Sequence, residues 1–279
     1  MTKILTDTTS GLSLAEAEEL GIYLVPQIVN FGEESYRDDT ELDTVTFLQK
    51  LRAAQELPKT AAPPPALYDP FFSEIAQTGE DIICLHPSAK LSGTVRSATV
   101  AKQNFPDANI HIVDTQVIAG PLATLVLLAA QWAKDGIPAE IIIDGLEDML
   151  AQQKTYFLVD TLEYLQKGGR ISSTKAGLGK MLSIKPILAM QDGLIEQLEQ
   201  ARTKKKAIAR LASLVEEQAD REGDPHICVM HVEAEEDAQT LIELIRDTMG
   251  IKEIPLYEIP PAIVVHAGPG ALGVGFLGK

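Results

Sequence analysis

Cysteine and positive charge are scarce in this sequence, and each shortage excludes a class of protein. The 279 residues include two cysteines, Cys84 and Cys228, which lie far apart and outside any C-x-x-C spacing. The cysteines therefore indicate neither a disulfide framework nor a zinc site. Lys and Arg number 24 against 40 Asp and Glu, which gives a formal net charge of -16. Because phosphate backbones attract clustered positive charge, we expect no nucleic-acid partner.

Targeting and membrane-spanning signals are also weak. The first residues, MTKILTDTTSG, become polar too soon for a signal peptide, so we expect a cytoplasmic protein. Residues 116–132 carry no charge and approach the length of a membrane span. They contain Gly120 and Pro121, however, and they are closely flanked by Asp114 and Lys134. We therefore predict a helix buried between layers of a soluble fold rather than a span.

Residues 81–99 contain the transition around which the rest of the chain can be arranged. The short apolar run at 81–85 predicts a strand covered on both faces, and the residues after it predict a helix. Ser92, Gly93 and Thr94 stand at the junction. Since backbone N–H groups at a helix N-terminus have no partner within the helix, this junction suits an anion such as a carboxylate or phosphate. An ordinary serine cap is the alternative.

The first half alternates strands with helices, which predicts a parallel sheet covered on both faces. Asp7 lies in the polar turn after the first strand, where sites in α/β sheets gather. The segment LPKTAAPPP at 57–65 is too rich in proline for a helix or a central strand, so we predict a stiff loop that can hold Thr60 at a fixed place. A rigid connector to the helix at 67–77 is the alternative. Strands are predicted at 2–6, 22–29, 81–85 and 109–113, and helices at 42–54, 67–77, 117–130 and 138–152.

The second half predicts a mixed sheet with helices on one face. Gln191, Asp192 and Gly193 join two of its strands as a hairpin turn. Strands are predicted at 155–159, 184–190, 194–198, 226–232, 251–258 and 263–266, and helices at 161–169, 174–182, 202–222 and 235–249. The chain is long enough for two α/β domains, which we place at residues 1–153 and 154–279.

Two patterns match cofactor motifs by letter only. GPGALG at 268–273 satisfies G-x-G-x-x-G, but the helix, strand and acidic residue of a dinucleotide-binding unit do not follow it. We interpret it as a tight glycine turn. His226 and His231 stand five residues apart on a predicted strand, so they face opposite sides and do not form a metal pair. We expect neither a metal nor an organic cofactor.

A hydrolase is one alternative function that the residues leave open. Ser92 would be the nucleophile, His266 the base, and Asp7 or Asp114 the orienting carboxylate. Ser92 lies outside the G-x-S-x-G motif, and any large chain offers Ser, His and Asp somewhere. The motif support for this alternative is therefore weak.

The concentrated positive charges of this acidic chain leave a further alternative open. Arg170 follows two glycines, and basic residues cluster at 202–206. A fixed arginine binds a carboxylate or phosphate through its fork of donors. A solvated helix end is the usual explanation of a basic run, and a binder of a small phosphorylated compound is the functional one.

Taken together, the motifs resemble the DegV family, the bacterial fatty-acid-binding proteins that serve fatty acid kinase. Each matching segment is short, but their number and order make the resemblance specific. They are DTTS at 7–10, LPKT at 57–60, SGT at 92–94 with Ser97 and Ala98, VDT at 113–115, LEYL at 162–165, GGRIS at 168–172, IKPIL at 184–188, Arg202 with KKA at 205–207, and HAGPGALG at 266–273.

The resemblance implies a fold, a ligand and a partner. The fold is an α/β class with a parallel α/β/α first domain and a second domain with a mixed six-stranded sheet and helices. A long-chain fatty acid is enclosed in a tunnel mainly in the first domain, and a separate kinase subunit phosphorylates its carboxylate. The implied protein is a carrier without catalysis of its own, and transient membrane contact is compatible with this role. Few aromatic residues, at 5%, and the apolar helix at 117–130 suit an aliphatic slot, although a plain core has the same composition.

Carried over by position, the resemblance also implies the site. Thr60, Ser92, Gly93, Thr94 and His266 are the expected carboxylate-binding residues. Arg170 and Arg202, again with His266, are the expected head-group cluster that is used during phosphorylation.

The sequence departs from the family pattern beside two of these positions. Ala61, Ala62 and Pro63 stand where the family usually has Ser-Gln-Pro. The residues 118–121 replace a Ser-Met-Gly-like turn after 114–115. Both departures affect what is expected of the head-group contacts of the Thr60 loop and of the tunnel shape.

Overall fold

The chain folds into two compact units that differ in their sheets. A computed structural model describes residues 1–171 and 184–279. The described residues divide into Met1–Ala151 with Pro260–Ala262, and Gln152–Ile259 with Ile263–Lys279. The predicted helix at 174–182 lies outside the described residues, and the predicted division into domains at 1–153 and 154–279 stays a prediction.

The first unit contains a parallel sheet and a small antiparallel sheet. Its strands are β1 (Thr2–Asp7), β2 (Ile22–Val25), β3 (Ile28–Phe31), β4 (Glu34–Arg37), β5 (Lys59–Ala61), β6 (Asp81–His86) and β7 (Asn109–Asp114). Its helices are α1 (Leu14–Leu20), α2 (Thr44–Ala53), α3 (Asp69–Thr78), α4 (Thr94–Lys102), α5 (Gly120–Lys134) and α6 (Ala139–Gln152).

The parallel sheet has the order β2-β1-β6-β7 and is covered on both faces, as the alternating pattern predicts. Leu5, Ile82 and Cys84 are fully buried in a cluster that includes Phe72 of α3. The neighbouring Ile83 is also fully buried and, by the period of a strand, faces the other way. Helix α5 packs against β1 and β6. The apolar runs of these strands therefore reflect burial on two faces.

Pro26 divides the strand predicted at 22–29, which is wrong as a single strand. Proline has no N–H to donate, so the parallel ladder ends at Val25. The chain resumes as β3, which pairs antiparallel with β4 and β5. Strand β4 was not predicted. Strand β5 lies at an edge, in the order β4-β3-β5, so the stiff loop around Thr60 is partly strand.

The second unit is built on a mixed sheet, as the resemblance implies. Its described strands are β8 (Gln153–Leu158), β9 (Lys185–Gln191), β10 (Leu194–Ala201), β11 (Cys228–His231), β12 (Leu256–Glu258) and β13 (Leu272–Leu277), and its described helices are α7 (Glu163–Lys167), α8 (Lys204–Gln218), α9 (Glu235–Met249) and α10 (Pro261–Ala267). The strand order within the described residues is β10-β9-β8-β13-β11-β12. Leu211, Leu241 and Phe276 belong to its buried core. The predicted hairpin is confirmed, because β9 and β10 pair antiparallel. Its turn residues Asp192 and Gly193 both have positive φ, as a type I′ turn requires.

The end of the second unit corrects the predicted strand at 263–266, which is wrong. Those residues form part of α10, which begins at Pro261, a position where the missing N–H of proline costs nothing. The last strand is instead β13, which follows the glycine turn; Gly268 and Gly270 in that turn have positive φ, as the turn interpretation predicts. A Cβ at Gly273 would lie 2.7 Å from Cε of Met230, so the glycine makes room for a side chain of the adjacent strand.

The strand predicted at 251–258 is wrong over its first half. Only β12 pairs with the sheet there, in parallel with β11. Pro255 immediately precedes β12, and a proline cannot donate to a ladder.

The uncharged segment at 116–132 is confirmed as a buried helix from Gly120 onward, and residues 116–119 precede that helix. Leu122, Ala123 and Val126 of α5 are fully buried. No helix within the described ranges is long and apolar enough to cross a bilayer.

Candidate functional site

Thr60 lies on the edge strand β5, opposite Val29 of β3. Its side chain is half-buried. Three residues later the carbonyl of Pro63 accepts a hydrogen bond from the Ser97 hydroxyl of α4. This bond fixes the loop that follows Thr60 to the helix that follows Ser92.

Ser92, Gly93 and Thr94 form the turn that begins α4. The two hydroxyl oxygens of Ser92 and Thr94 are 2.7 Å apart, and the Thr94 N–H donates to Ser92 Oγ at 3.3 Å. A Cβ at Gly93 would lie 3.5 Å from the Cβ of Ala62, which is van der Waals distance. The loop after Thr60 therefore lies beside the Ser92 turn, and the predicted carboxylate-binding role of these residues stays a prediction.

A buried polar network lies behind this turn, at the carboxyl ends of β1 and β6. Gln27 Nε2 donates to Thr94 Oγ1 at 3.0 Å and to Asp7 Oδ1 at 2.8 Å. The other Asp7 oxygen is 2.8 Å from Nδ1 of His86, and His86 Nε2 is 3.4 Å from the Tyr68 hydroxyl. All of these side chains are buried. Among them the sequence pointed only to Asp7 and Thr94, since no spacing pattern connects residues this far apart in the chain.

Asp38 extends the network on its other side. Its Oδ1 accepts the Thr8 hydroxyl at 2.7 Å, and Thr8 Oγ1 in turn accepts the Gln27 backbone N–H at 2.9 Å. The second carboxyl oxygen is buried without a hydrogen bond to the described residues. Burial, reinforced by the nearby charge of Asp7, raises the pKa of Asp38 to about 7. The carboxyl is therefore poised to change its charge near neutral pH.

Arg170 and His266 lie together in the second unit, both in contact with Gly168. The Arg170 Nη1 donates to the Gly168 carbonyl at 2.6 Å. A Cβ at Gly168 would collide with Nδ1 of His266 and lie 3.2 Å from its Cε1. Burial first, and the positive charge of Arg170 second, lower the pKa of His266 to about 4. His266 is therefore a neutral imidazole at pH 7 beside a guanidinium that stays charged.

No hydrogen bond or ion pair within the described residues joins Arg202 to Arg170 and His266. Arg202 lies between the end of β10 and Thr203, which caps α8. Its side chain is exposed, and it has no hydrogen bond or ion pair with the described residues. Its predicted place in the head-group cluster stays a prediction.

The two carboxylates considered for a hydrolase have other partners. Asp7 accepts from Gln27, Thr9 and His86. Asp114 accepts backbone N–H groups of Ala89 and Gln116. Both carboxylates therefore already accept hydrogen bonds from other residues of the first unit. This arrangement gives the hydrolase alternative no support.

The segment that matches a dinucleotide motif by letter only has a structural explanation. A Cβ at Gly268 would lie within 2.9 Å of the Tyr164 ring, and one at Gly270 would collide with the Asp160 carboxylate. The glycines of the GPGALG segment therefore allow close packing against 160–164. No group of histidine, cysteine or carboxylate residues able to hold a metal ion occurs in the described part of the chain.

Sequence comparisons find relatives along the whole chain. A family profile described as "Uncharacterised protein, DegV family" matches residues 1–279. A DegV domain-containing protein of Halalkalibacterium halodurans is 35% identical over 279 residues, and the match covers 99% of each chain.

Solved structures of similar proteins share the fold. A structure from Thermus thermophilus, described as fatty acid binding of a DegV family protein, has a TM-score of 0.90 and 31% identity. DegV of Bacillus subtilis, described as a fatty acid binding protein, has a TM-score of 0.86 and 34% identity. Each covers 100% of this chain, and 99% of the solved chain is covered in return.

Proposed function

The chain belongs to the DegV family, and from this premise we propose that it binds one long-chain fatty acid and presents the carboxylate to a separate kinase. The strongest support is the described fatty acid binding of the solved proteins from Thermus thermophilus and Bacillus subtilis, together with the adjacent hydroxyls of Ser92 and Thr94 in this chain. The Ser92 and Thr94 hydroxyl oxygens are 2.7 Å apart, and Ala62 in the loop after β5 lies beside Gly93. We assign the carboxylate to the hydroxyls of Thr60, Ser92 and Thr94 and to the N–H groups around Gly93.

The acyl chain supplies most of the affinity in this proposal. Burying one methylene contributes about 0.8 kcal/mol, whereas a hydrogen bond to a charged group contributes about 1.5 to 3 kcal/mol. A tunnel for the tail lies mainly in the first unit in our proposal, and the buried aliphatic side chains of α5 suit it. The polar end then fixes which way the ligand lies.

The second step of the proposal is phosphorylation of the bound carboxylate by a partner kinase. The charged guanidinium of Arg170 suits phosphate oxygens, and the neutral imidazole of His266 can donate one hydrogen bond to the head group. We also propose that Arg202 takes part in this head-group cluster. Because such a kinase uses ATP, we expect the carrier in the cytoplasm, with transient membrane contact to exchange its ligand.

Native mass spectrometry of gently purified protein tests the first step. The expected spectrum shows one fatty acid per chain, which extraction under denaturing conditions identifies. The Ser92→Ala variant should bind the same acid about tenfold more weakly, the effect of losing one hydrogen bond to a charged group. An empty protein that also fails to take up added palmitic acid would contradict the proposal, and Ser92-dependent turnover of a fatty acyl ester would support a hydrolase instead.

Trapping of the acyl phosphate with hydroxylamine tests the second step. With ATP and the catalytic subunit of a bacterial fatty acid kinase, the loaded carrier should yield acyl hydroxamate. Arg170→Lys should lower that yield while leaving fatty acid binding unchanged, because lysine keeps the charge but loses the fork of donors. Equal yields from wild type and variant would remove Arg170 from the proposed role.

A further inference from the structure

Gln27 is buried between the anionic carboxylate of Asp7 and the hydroxyl of Thr94. Only 3% of its surface is exposed. Its amide nitrogen lies 2.8 Å from Asp7 Oδ1 and 3.0 Å from Thr94 Oγ1. An ionised carboxylate only accepts hydrogen bonds, so the group that faces Asp7 is the NH₂ group. The second N–H of that group is then directed to Thr94.

This donation sets the direction of the next hydrogen bond. Thr94 Oγ1 accepts from Gln27 and lies 2.7 Å from Ser92 Oγ. Thr94 is fully buried, whereas Ser92 is half-buried. If Ser92 donated to Thr94, the Thr94 proton would be buried without another acceptor in the described chain, which is costly. Thr94 therefore donates to Ser92, and the Ser92 proton remains available.

Asp7 is held firmly enough to anchor this chain of donors. Its Oδ1 also accepts the Thr9 backbone N–H at 3.0 Å and the Thr9 hydroxyl at 2.6 Å. Its Oδ2 accepts from His86 Nδ1, whose imidazole is fully buried against Tyr68. Each contact restricts the carboxylate, so Gln27 has one low-energy orientation.

We propose that Gln27 is a positioning residue that makes Ser92 a hydrogen-bond donor toward the ligand and thereby selects a carboxylate head group. The order of donation runs from Gln27 to Thr94, from Thr94 to Ser92, and from Ser92 to the ligand. A Ser92 hydroxyl whose proton is directed toward the ligand favours the anionic carboxylate of a fatty acid over the neutral ester of an acyl chain of the same length. This inference rests on the proposed fatty acid binding and adds the residue that sets its head-group preference.

The test compares palmitic acid with methyl palmitate on delipidated full-length protein, by titration in native mass spectrometry. Gln27→Met keeps the length of the side chain and removes both donors. It should weaken palmitic acid binding about tenfold and leave methyl palmitate binding unchanged. Gln131→Met is the matched control, because Gln131 is exposed on α5 and bonds only to Asp135 of its own helix end. It should change neither affinity.

A double-mutant cycle separates positioning from a structural effect. If Gln27 acts through Ser92, adding Gln27→Met to Ser92→Ala should produce no further loss for palmitic acid. If the fold-losses in palmitic acid affinity of the two single variants multiply in the double variant, the proposal is overturned. It is also overturned if Gln27→Met weakens binding of palmitic acid and methyl palmitate equally. A wild type that binds neither ligand would instead refute the proposed function itself.

A second variant keeps the proposal testable if the Gln27→Met protein does not fold. Gln27→Glu keeps the volume but offers at most one donor, so it cannot serve Asp7 and Thr94 together. It should show the same selective loss of palmitic acid binding. If neither variant folds well enough to bind methyl palmitate, Gln27 is a structural core residue and the proposal is wrong.

Discussion

Gly168 is a glycine because an imidazole occupies the space that a side chain would need. A Cβ there would collide with His266 Nδ1, although the Gly168 backbone itself has an ordinary helical φ of -75°. Gly168→Ala should therefore displace His266 and lower the free energy of unfolding by about 1 to 3 kcal/mol through overpacking. Proton and nitrogen NMR of the imidazole, with chemical denaturation, would measure both effects.

Gly169→Ala is the matched control for this prediction. Gly169 has φ of +69°, but a Cβ there would meet nothing within 4 Å. Alanine should destabilise the protein by about 1 to 2 kcal/mol through backbone strain alone. His266 resonances should stay in place in this variant. Unchanged His266 resonances in Gly168→Ala would contradict the collision.

At the level of single residues, sequence reasoning identified side chains whose chemistry is visible in isolation. The resemblance pointed to Thr60, Ser92 and Thr94, whose role stays a prediction, and the structure shows Ala62 of the loop after β5 beside Gly93. It missed Gln27, which stood inside a predicted strand. Its role depends on Asp7 and on Thr94, which is 67 residues further along the chain. Such a role is created by the fold and has no local pattern.

The loop after β5 and helix α4 act as one supporting element through Ser97. Its hydroxyl donates to the Pro63 carbonyl, and no charged side chain takes part in this bond. Ser97→Ala should loosen the loop that carries Thr60 and weaken palmitic acid binding several-fold, while costing about 1 kcal/mol of stability. Isothermal titration would measure the affinity.

Thr99→Ala provides the control on the same helix. The Thr99 hydroxyl bonds to the Val95 carbonyl within α4, and its side chain is exposed. Palmitic acid affinity should be unchanged in this variant. Equal affinities for wild type and Ser97→Ala would show that the loop holds its place without that bond.

Element prediction succeeded where hydrophobic period and turn chemistry agreed. Helix α9 and the β9–β10 hairpin are examples. It failed at 263–266, where β-branched residues suggested a strand but Pro261 starts a helix. It also missed β13, a strand that contains Gly273 and Gly275. There the missing side chains serve packing between strands, a tertiary requirement that a local pattern does not reveal.

Across the whole molecule, two buried groups give stability opposite dependences on pH. Asp38 has a pKa of about 7 against an ordinary 3.8, so between these values the unfolded chain loses its proton first and stability falls as pH rises. His266 has a pKa of about 4 against 6.5, so stability falls as pH drops through that range. The contribution of each group to the free energy of unfolding changes by at most about 1.4 kcal/mol per pH unit.

Urea denaturation of two variants between pH 4 and pH 8 would separate these contributions. Relative to wild type, Asp38→Asn should become progressively more stable as pH rises from 4 to 7. His266→Gln should become relatively more stable as pH falls from 6.5 to 4. A difference from wild type that is independent of pH, in either variant, would show that the group concerned titrates normally.

The position of β13 also determines when the second unit can form during protein synthesis. This strand joins β8 on one side and β11 on the other, yet it is made after the other described strands of its sheet. While the ribosome is still adding residues before 272, the β10-β9-β8 and β11-β12 halves exist without the strand that unites them. Their facing edges are unpaired backbone and are open to association with other nascent chains. The two edges are covered once residues 272–277 pair with β8 and β11.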